Sequence, residues 1–247
     1  MDLLTIYAQM GLSKAVCDRG EEVLSRLTDR FQAIDQRAEI NQAKVLLAMQ
    51  KNRIGAQHFA ATTGYGYDDD GRERLEKVYA DVFHTEAALV RPQITCGTHA
   101  LTVALSANLL PGDELLSPVG LPYDTLQEVI GIRPSPCSLA EYGVTYRQAD
   151  LKPDGSFDYD AIRAAITPKT RLVTIQRSKG YATRPSFSVQ QIGELITFCK
   201  SVKPDVKVMV DNCYGEFVDV VEPSDVGADM VVGSLIKNPG GGLAPIG

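Results

Sequence analysis

The 247-residue sequence predicts an α/β protein, a mostly parallel sheet flanked by helices, with an N-terminal helical arm. Three observations predict it. Short apolar, β-branched runs alternate with helical patterns from about Leu109 onward, the pattern of parallel strands joined by crossover helices. Two of those runs, Val206 to Val210 and Met230 to Val232, deliver ionisable residues at their carboxyl ends. Polar and glycine-punctuated loops follow the strands on that same edge, where ligands of open α/β sheets bind.

Taken in order, residues 1–52 form the arm. A run from Ser13 through Arg30 and another from Asp35 through Lys51 carry apolar residues at three and four spacing, with Val16, Leu24, Leu27 and Phe31 on one broad face. Nothing in the arm suggests chemistry; it reads as a packing element against the body or a partner subunit. Residues 53–247 form the body. T-T-G-Y-G-Y-D-D-D-G is a loop whose acids, Asp68 to Asp70, cap a helix from Arg72 to Phe83, and whose Tyr65 and Tyr67 mark a surface that meets a ligand or another chain. The chain then turns at Gly97 into a helix from Thr98 to Leu109, with Thr98 as a candidate N-cap. Free N–H groups at such a helix start suit a phosphate, and His99 lies at the mouth as a ring-face contact. His58 and His84 have no partners at metal-ligand spacing.

Beyond Leu109 the expected elements are a strand in P-G-D-E-L-L-S-P, a helix from Pro122 to Ile130, a strand from Val144 to Arg147 and a helix from Tyr159 to Ile166 opened by Asp158. A strand from Arg171 to Gln176 and a helix from Val189 to Lys200 then lead to Val206, and Gln176 and Arg177 fall where sheet ligands sit.

Composition bounds the function. With 44% apolar and 23% charged residues the chain can bury a sizeable core. No apolar run approaches the roughly 18 residues of a membrane span, so no membrane partner and a cytoplasmic protein are expected. A net charge of -6 and a pI near 5.2 argue against nucleic acid and for a small-molecule partner. Cys17, Cys96, Cys137, Cys199 and Cys213 are scattered without a C-x-x-C pair, which suits reduced thiols better than disulfides or a metal site.

Asp211 at one strand tip and Lys237, 26 positions further on and followed by N-P-G-G-G, form the pair that pyridoxal phosphate chemistry needs. A carboxylate keeps the pyridine nitrogen protonated and an amine forms the Schiff base. Taken alone, each reads first as ordinary, a polar strand end and a surface lysine; it is the pair that points to this chemistry. A nicotinamide-binding protein would want G-x-G-x-x-G after its first strand, and the chain contains no such run.

Six ordered motifs, T-G-Y-G-Y-D-D, R-P-Q-I-T-C-G-T-H-A-L, G-L-P-Y-D-T-L, Q-R-S-K-G-Y, V-D-N-C-Y-G-E-F and S-L-I-K-N-P-G-G-G, carry a resemblance that runs from about residue 50 to the end. The chain resembles the methionine gamma-lyase-like, aluminium-resistance-like branch of the Cys/Met-metabolism group of fold-type I pyridoxal-phosphate enzymes. That resemblance implies pyridoxal 5'-phosphate held by Lys237, with Asp211 on the pyridinium and Gly97, Thr98 and Ser234 around the phosphate. It implies Tyr123 stacked on the ring and Tyr65 reaching the phosphate site of a neighbouring subunit, hence a homodimer or homotetramer. It also implies elimination of a sulfur leaving group from an amino-acid substrate, with an aminotransferase or decarboxylase of the same fold, or an inactive fragment, as alternatives. Tyr67 stands where wider members carry arginine, and Ile236 where they carry a hydroxyl residue before the lysine. Such enzymes continue into another strand and a small domain with the carboxylate-binding arginine, whereas this chain stops ten residues after Lys237. A truncated chain that is not by itself a competent lyase is therefore expected.

Overall fold

The computed structural model describes residues 2–63, 65, 67 and 69–241. It divides into two compact units, residues 1–43 and 44–247. The first contains helix α1 (Leu3–Gln9), helix α2 (Lys14–Arg26) and the start of helix α3 (Thr28–Lys51). Asp2 and Ser13 cap α1 and α2 through side-chain oxygens that accept the N–H groups of Thr5 and Val16. The expected gap near residue 31 is not there. The chain turns at Leu27 instead and then runs unbroken to Lys51, because no glycine or proline interrupts residues 28–51. Val16, Leu24 and Phe31 stand exposed.

The second unit holds a five-stranded sheet in the order β2-β1-β3-β4-β5. Its strands are β1 (Glu114–Ser117), β2 (Thr145–Gln148), β3 (Thr170–Gln176), β4 (Lys207–Asp211) and β5 (Met230–Val232), all in parallel pairings. Helices α4 (Asp70–Phe83), α5 (Gly97–Asn108), α6 (Asp124–Ile130), α7 (Tyr159–Ala165) and α8 (Val189–Val202) complete it. The α/β class is thus observed, and the elements lie within a few residues of where the periodicity places them. Asp69 caps α4 by accepting the Arg72 N–H at 3.2 Å, and a Ser188–Gln191 capping box opens α8. The segment before α5 is not a strand, despite its β-branched content.

Successive strand residues point to opposite faces, and the core divides accordingly. Leu116, Val173, Val208 and Val210 pack with Ile162 of α7 and Ile192, Leu195, Ile196 and Cys199 of α8. Leu115, Leu172, Met209 and Val232 pack with Leu101 and Leu105 of α5 and Leu126 and Ile130 of α6. β3 and β4 read as nearly continuous apolar runs because both faces are covered, whereas the edge strand β2 is largely exposed. β1 lies between β2 and β3, so the chain order reverses beside it and opens a crevice at the carboxyl edge. Among the described residues no helix is long and apolar enough to cross a membrane.

Ile192 is fully buried between α8 and the sheet. Ile192→Ala is expected to remove about 2–5 kcal/mol of stability, read as a lower midpoint in denaturant unfolding followed by circular dichroism.

Candidate active site

The carboxyl ends of β3, β4 and β5 and the start of α5 converge at the crevice. Asp211 is the last residue of β4, 5% exposed, and its Oδ1 accepts the Cys213 N–H at 3.1 Å. Burial pushes its carboxyl up from the ordinary range, and the charges of Lys237 and Arg184 oppose that rise only in part. Among the described residues no cation lies within ion-pair distance of it. The Cys213 thiol is pushed up by burial and by the Asp211 charge, so it stays protonated.

Lys237 stands in a tight turn after β5, its N–H bonded to the Ser234 carbonyl at 2.9 Å. Its Nζ lies 4.5 Å from the ring centre of Tyr214 and 5.9 Å from that of Tyr123. These rings flank the amine at cation–π distance. Tyr123 is held by its own backbone: its N–H donates to Gln176 Oε1 at 2.7 Å, while Gln176 Nε2 donates to the Ser178 carbonyl at 3.0 Å. Tyr181 packs beside it with ring centres 5.7 Å apart, and a hydrogen bond between the phenols pushes Tyr123 up to about 12.

Gly97 opens α5 against the turn after β5. A Cβ on Gly97 would come to 3.1 Å from Ser234 Cβ and 3.3 Å from Cys213 Sγ, tighter than ordinary contact, so glycine lets the helix start approach closely without displacing them. Ser234 is 3% exposed and its Oγ has no hydrogen-bond partner among the described residues. A buried orphan hydroxyl beside the N-terminus of a 12-residue helix is a fit for an anion. Cys96, not Thr98, occupies the N-cap; Thr98 Oγ1 instead meets Thr125 Oγ1 at 2.8 Å.

The structure therefore brings Gly97, Ser234, Asp211, Lys237, Tyr123 and Gln176 to one crevice, with Thr98 at its helix start. His99 is exposed, and its Nδ1 faces Thr95, accepting that residue's N–H at 3.3 Å. Tyr65 and Tyr67 are exposed, in a loop where Gly64, Gly66 and Asp68 lie outside the described residues.

Arg177, expected at the ligand edge, is turned beneath it. Only 3% exposed, it donates to Phe187 O, Asn212 Oδ1, Gly215 O and Asp219 Oδ2, the last at 2.6 Å. The physical reason is that the loop after β4 carries carbonyls and the carboxylates of Asp219 and Glu222, which a buried guanidinium satisfies. Sequence reasoning missed Tyr214, Glu216 and Arg184. Tyr214 was signalled by its place three residues after Asp211; the other two carried no signal distinguishing them from surface charges.

The fold and this edge define a class first. The E. coli pyridoxal-5'-phosphate-dependent protein YhfS shares the fold, with a TM-score of 0.62 at 20% identity over 82% of this chain and 51% of that one. The family follows from sequence. The methionine gamma-lyase family model matches residues 16–247, and the chain belongs to that family. Bacillus subtilis YnbB is 52% identical over 228 residues, covering 92% of this chain and 54% of that protein. A Clostridium novyi structure described as a carbon-sulfur lyase involved in aluminum resistance is 44% identical, with a TM-score of 0.93 over 98% of this chain and 58% of that one. The chain thus spans little more than half the length of these relatives.

Burial sets the energetic weight of the charges. Arg177→Met should lower unfolding free energy by about 3–5 kcal/mol, because it strands buried acceptors and the Glu222 carboxylate. Lys200→Met, removing the more exposed pair with Asp229, should stay within about 1 kcal/mol. Parallel denaturant melts of the two variants check the contrast.

Proposed function

We propose that the crevice binds pyridoxal 5'-phosphate and that the chain supplies the cofactor-holding part of a carbon-sulfur lyase acting on sulfur-containing amino acids. The observation that carries this reading is Asp211: a carboxyl buried without a paired cation among the described residues, at the tip of β4, facing the loop that bears Lys237. A buried carboxylate without a partner is costly, and a protonated ring nitrogen is the partner that this position lacks. The orphan Ser234 hydroxyl and the side-chain-free start of α5 at Gly97 suit the phosphate, with Thr98 and the exposed His99 at the same helix start. Tyr123 offers an aromatic face, and Gln176 fixes where that face sits.

When bound, the cofactor supplies an electron sink for the carbanion formed at Cα of an amino acid. The chain's own residues do the rest. Lys237 Nζ is the one amine beside Tyr123 and Tyr214 among the described residues, and it would hold the cofactor and serve as the base for the Cα proton. Asp211 keeps the ring nitrogen protonated. Tyr123 would offer a face that restrains the ring. Elimination of a thiol from the β or γ carbon, followed by hydrolysis of the released imine by one water, would then give the thiol, a keto acid and ammonia. Homo-oligomer formation belongs to the same proposal, supported by Tyr65 and Tyr67, each more than four-fifths exposed. Five free cysteines fit a reducing compartment such as the cytoplasm.

Reduction with borohydride after incubation with pyridoxal 5'-phosphate should place the label on Lys237 in peptide mapping. Label on Lys179 or Lys200 would sink the assignment, and Lys237→Ala should abolish trapping.

Asp211→Asn nearly preserves shape but holds no charge against a ring proton. It should weaken cofactor affinity about tenfold or more while leaving the melting temperature unchanged or raised, since it removes an uncompensated buried charge. An unchanged dissociation constant in absorbance titration would show that Asp211 does not face the ring nitrogen.

A further inference from the structure

Glu216 lies on the loop after β4, directly behind Ser234, and nothing in the reaction outlined above uses it. It is 5% exposed; Oε1 accepts the Ser234 N–H at 3.2 Å, and Oε2 is buried without a partner among the described residues. Position 233 is glycine because any Cβ there would collide with Oε1. The same loop is latched to the lysine turn by Asn238, whose Nδ2 donates to Tyr214 O at 3.3 Å and Glu216 O at 3.2 Å. The Glu216 carboxyl therefore sits within the framework that places both the Ser234 hydroxyl and Lys237.

Its electrostatic surroundings are one-sided. Asp211 at the end of β4 and Glu222 beyond the loop oppose its ionisation, and burial does so more strongly, pushing it up to about 7. Tyr79 of α4 and Cys213 are pushed up chiefly by burial, and the Glu216 charge adds to that rise. Glu86 and Asp229 line the same cavity of about 550 Å³, adding no cation. Arg177 is committed to Asp219, Asn212 and Gly215, and Lys237 acts on Asp211 and Cys213. No cation pairs with Glu216 among the described residues.

A phosphate seated at Gly97 and Ser234 would bring further negative charge next to this carboxyl. An ionised Glu216 would repel it, whereas the neutral acid still accepts the Ser234 N–H through its carbonyl oxygen and has an O–H left to donate. We propose, on the cofactor reading above, that Glu216 is a positioning residue for the phosphate end of the site and works as the neutral acid, so that cofactor uptake near neutrality brings a proton from solvent onto Glu216. The sign follows from linkage: binding raises the Glu216 pKa, so affinity is full below the free-state value and falls as pH rises between the free and bound values.

The test uses the 247-residue chain and pyridoxamine 5'-phosphate, which has no aldehyde and cannot link to Lys237. Calorimetric titrations from pH 6 to 9, in two buffers of different ionisation heat, give the dissociation constant and the protons taken up. Wild type should lose affinity above pH 7 by up to about tenfold per pH unit relative to E216Q. Its proton uptake near pH 7.5 should also exceed that of E216Q, the phosphate's own titration being common to both. E216M, uncharged and of similar length, provides a second flat profile if the amide does not fold. Superimposable pH profiles with equal proton uptake would overturn the inference while leaving the cofactor reading intact, as would a constant loss of affinity in E216Q at every pH. Absence of binding by either protein at any pH would overturn both.

Discussion

A single buried guanidinium ties the carboxyl edge of the sheet together. Arg177 directly follows β3, its N–H donates to the Asp211 carbonyl at 3.0 Å, and its side chain reaches Asn212, Gly215 and Asp219 on the loop after β4. A buried cation is tolerable only where its donors are satisfied, and here nearly every one has an oxygen. The arrangement holds the backbone on both sides of Asp211, and the Asn212 N–H adds a bond to the Val232 carbonyl at 2.8 Å. The position of the site's carboxylate relative to β5, and so to the turn bearing Lys237, depends on that tie.

The same tie leaves an imbalance. Because Arg177 serves Asp219, with Glu222 also near it, the two other buried acids of this edge, Asp211 and Glu216, have no cation of their own among the described residues. Their environments differ in a way that suits opposite ends of one ligand. Burial pushes the Asp211 carboxyl up, while the backbone and thiol hydrogen bonds from Cys213 and the charges of Lys237 and Arg184 oppose that rise in part, so a ring cation is the partner that would hold it charged. Glu216 has burial and two neighbouring carboxylates against it, which favours a proton where an anion is to sit.

The aromatic wall is placed by main chain as much as by packing. Tyr123 is fixed through its own N–H on Gln176, and Arg184 in turn donates to the Gln176 and Ser178 carbonyls at 2.8 and 2.6 Å. Tyr214 adopts a φ of 69°, uncommon for a bulky residue, and so presents its ring to the lysine amine. Strain in this position is held by the hydrogen bond from Asn238 and by the close fit of Gly215 under Arg177.

Strands were legible because burial on both faces leaves no polar alternation: Leu172 to Ile175 and Val208 to Val210 are apolar or β-branched at every position, and that pattern alone marks a parallel sheet and its edge. Asp211, Lys237 and Gly97 were legible for the same reason, each interrupting such a run or opening the helix beyond it. The fates of Arg177 and Glu216 were not. Both are charged residues just past a strand, a place where most charges are solvated, and direction decides everything: one guanidinium turned inward to a loop of carbonyls, one carboxyl turned behind a serine. The sequence by itself determined the strand order of chemistry along the chain, since periodicity is local. Only the tertiary structure decided which of those charges are buried and which groups face them, because burial and partnership are set by residues far apart in sequence, as Glu216 and Ser234 are.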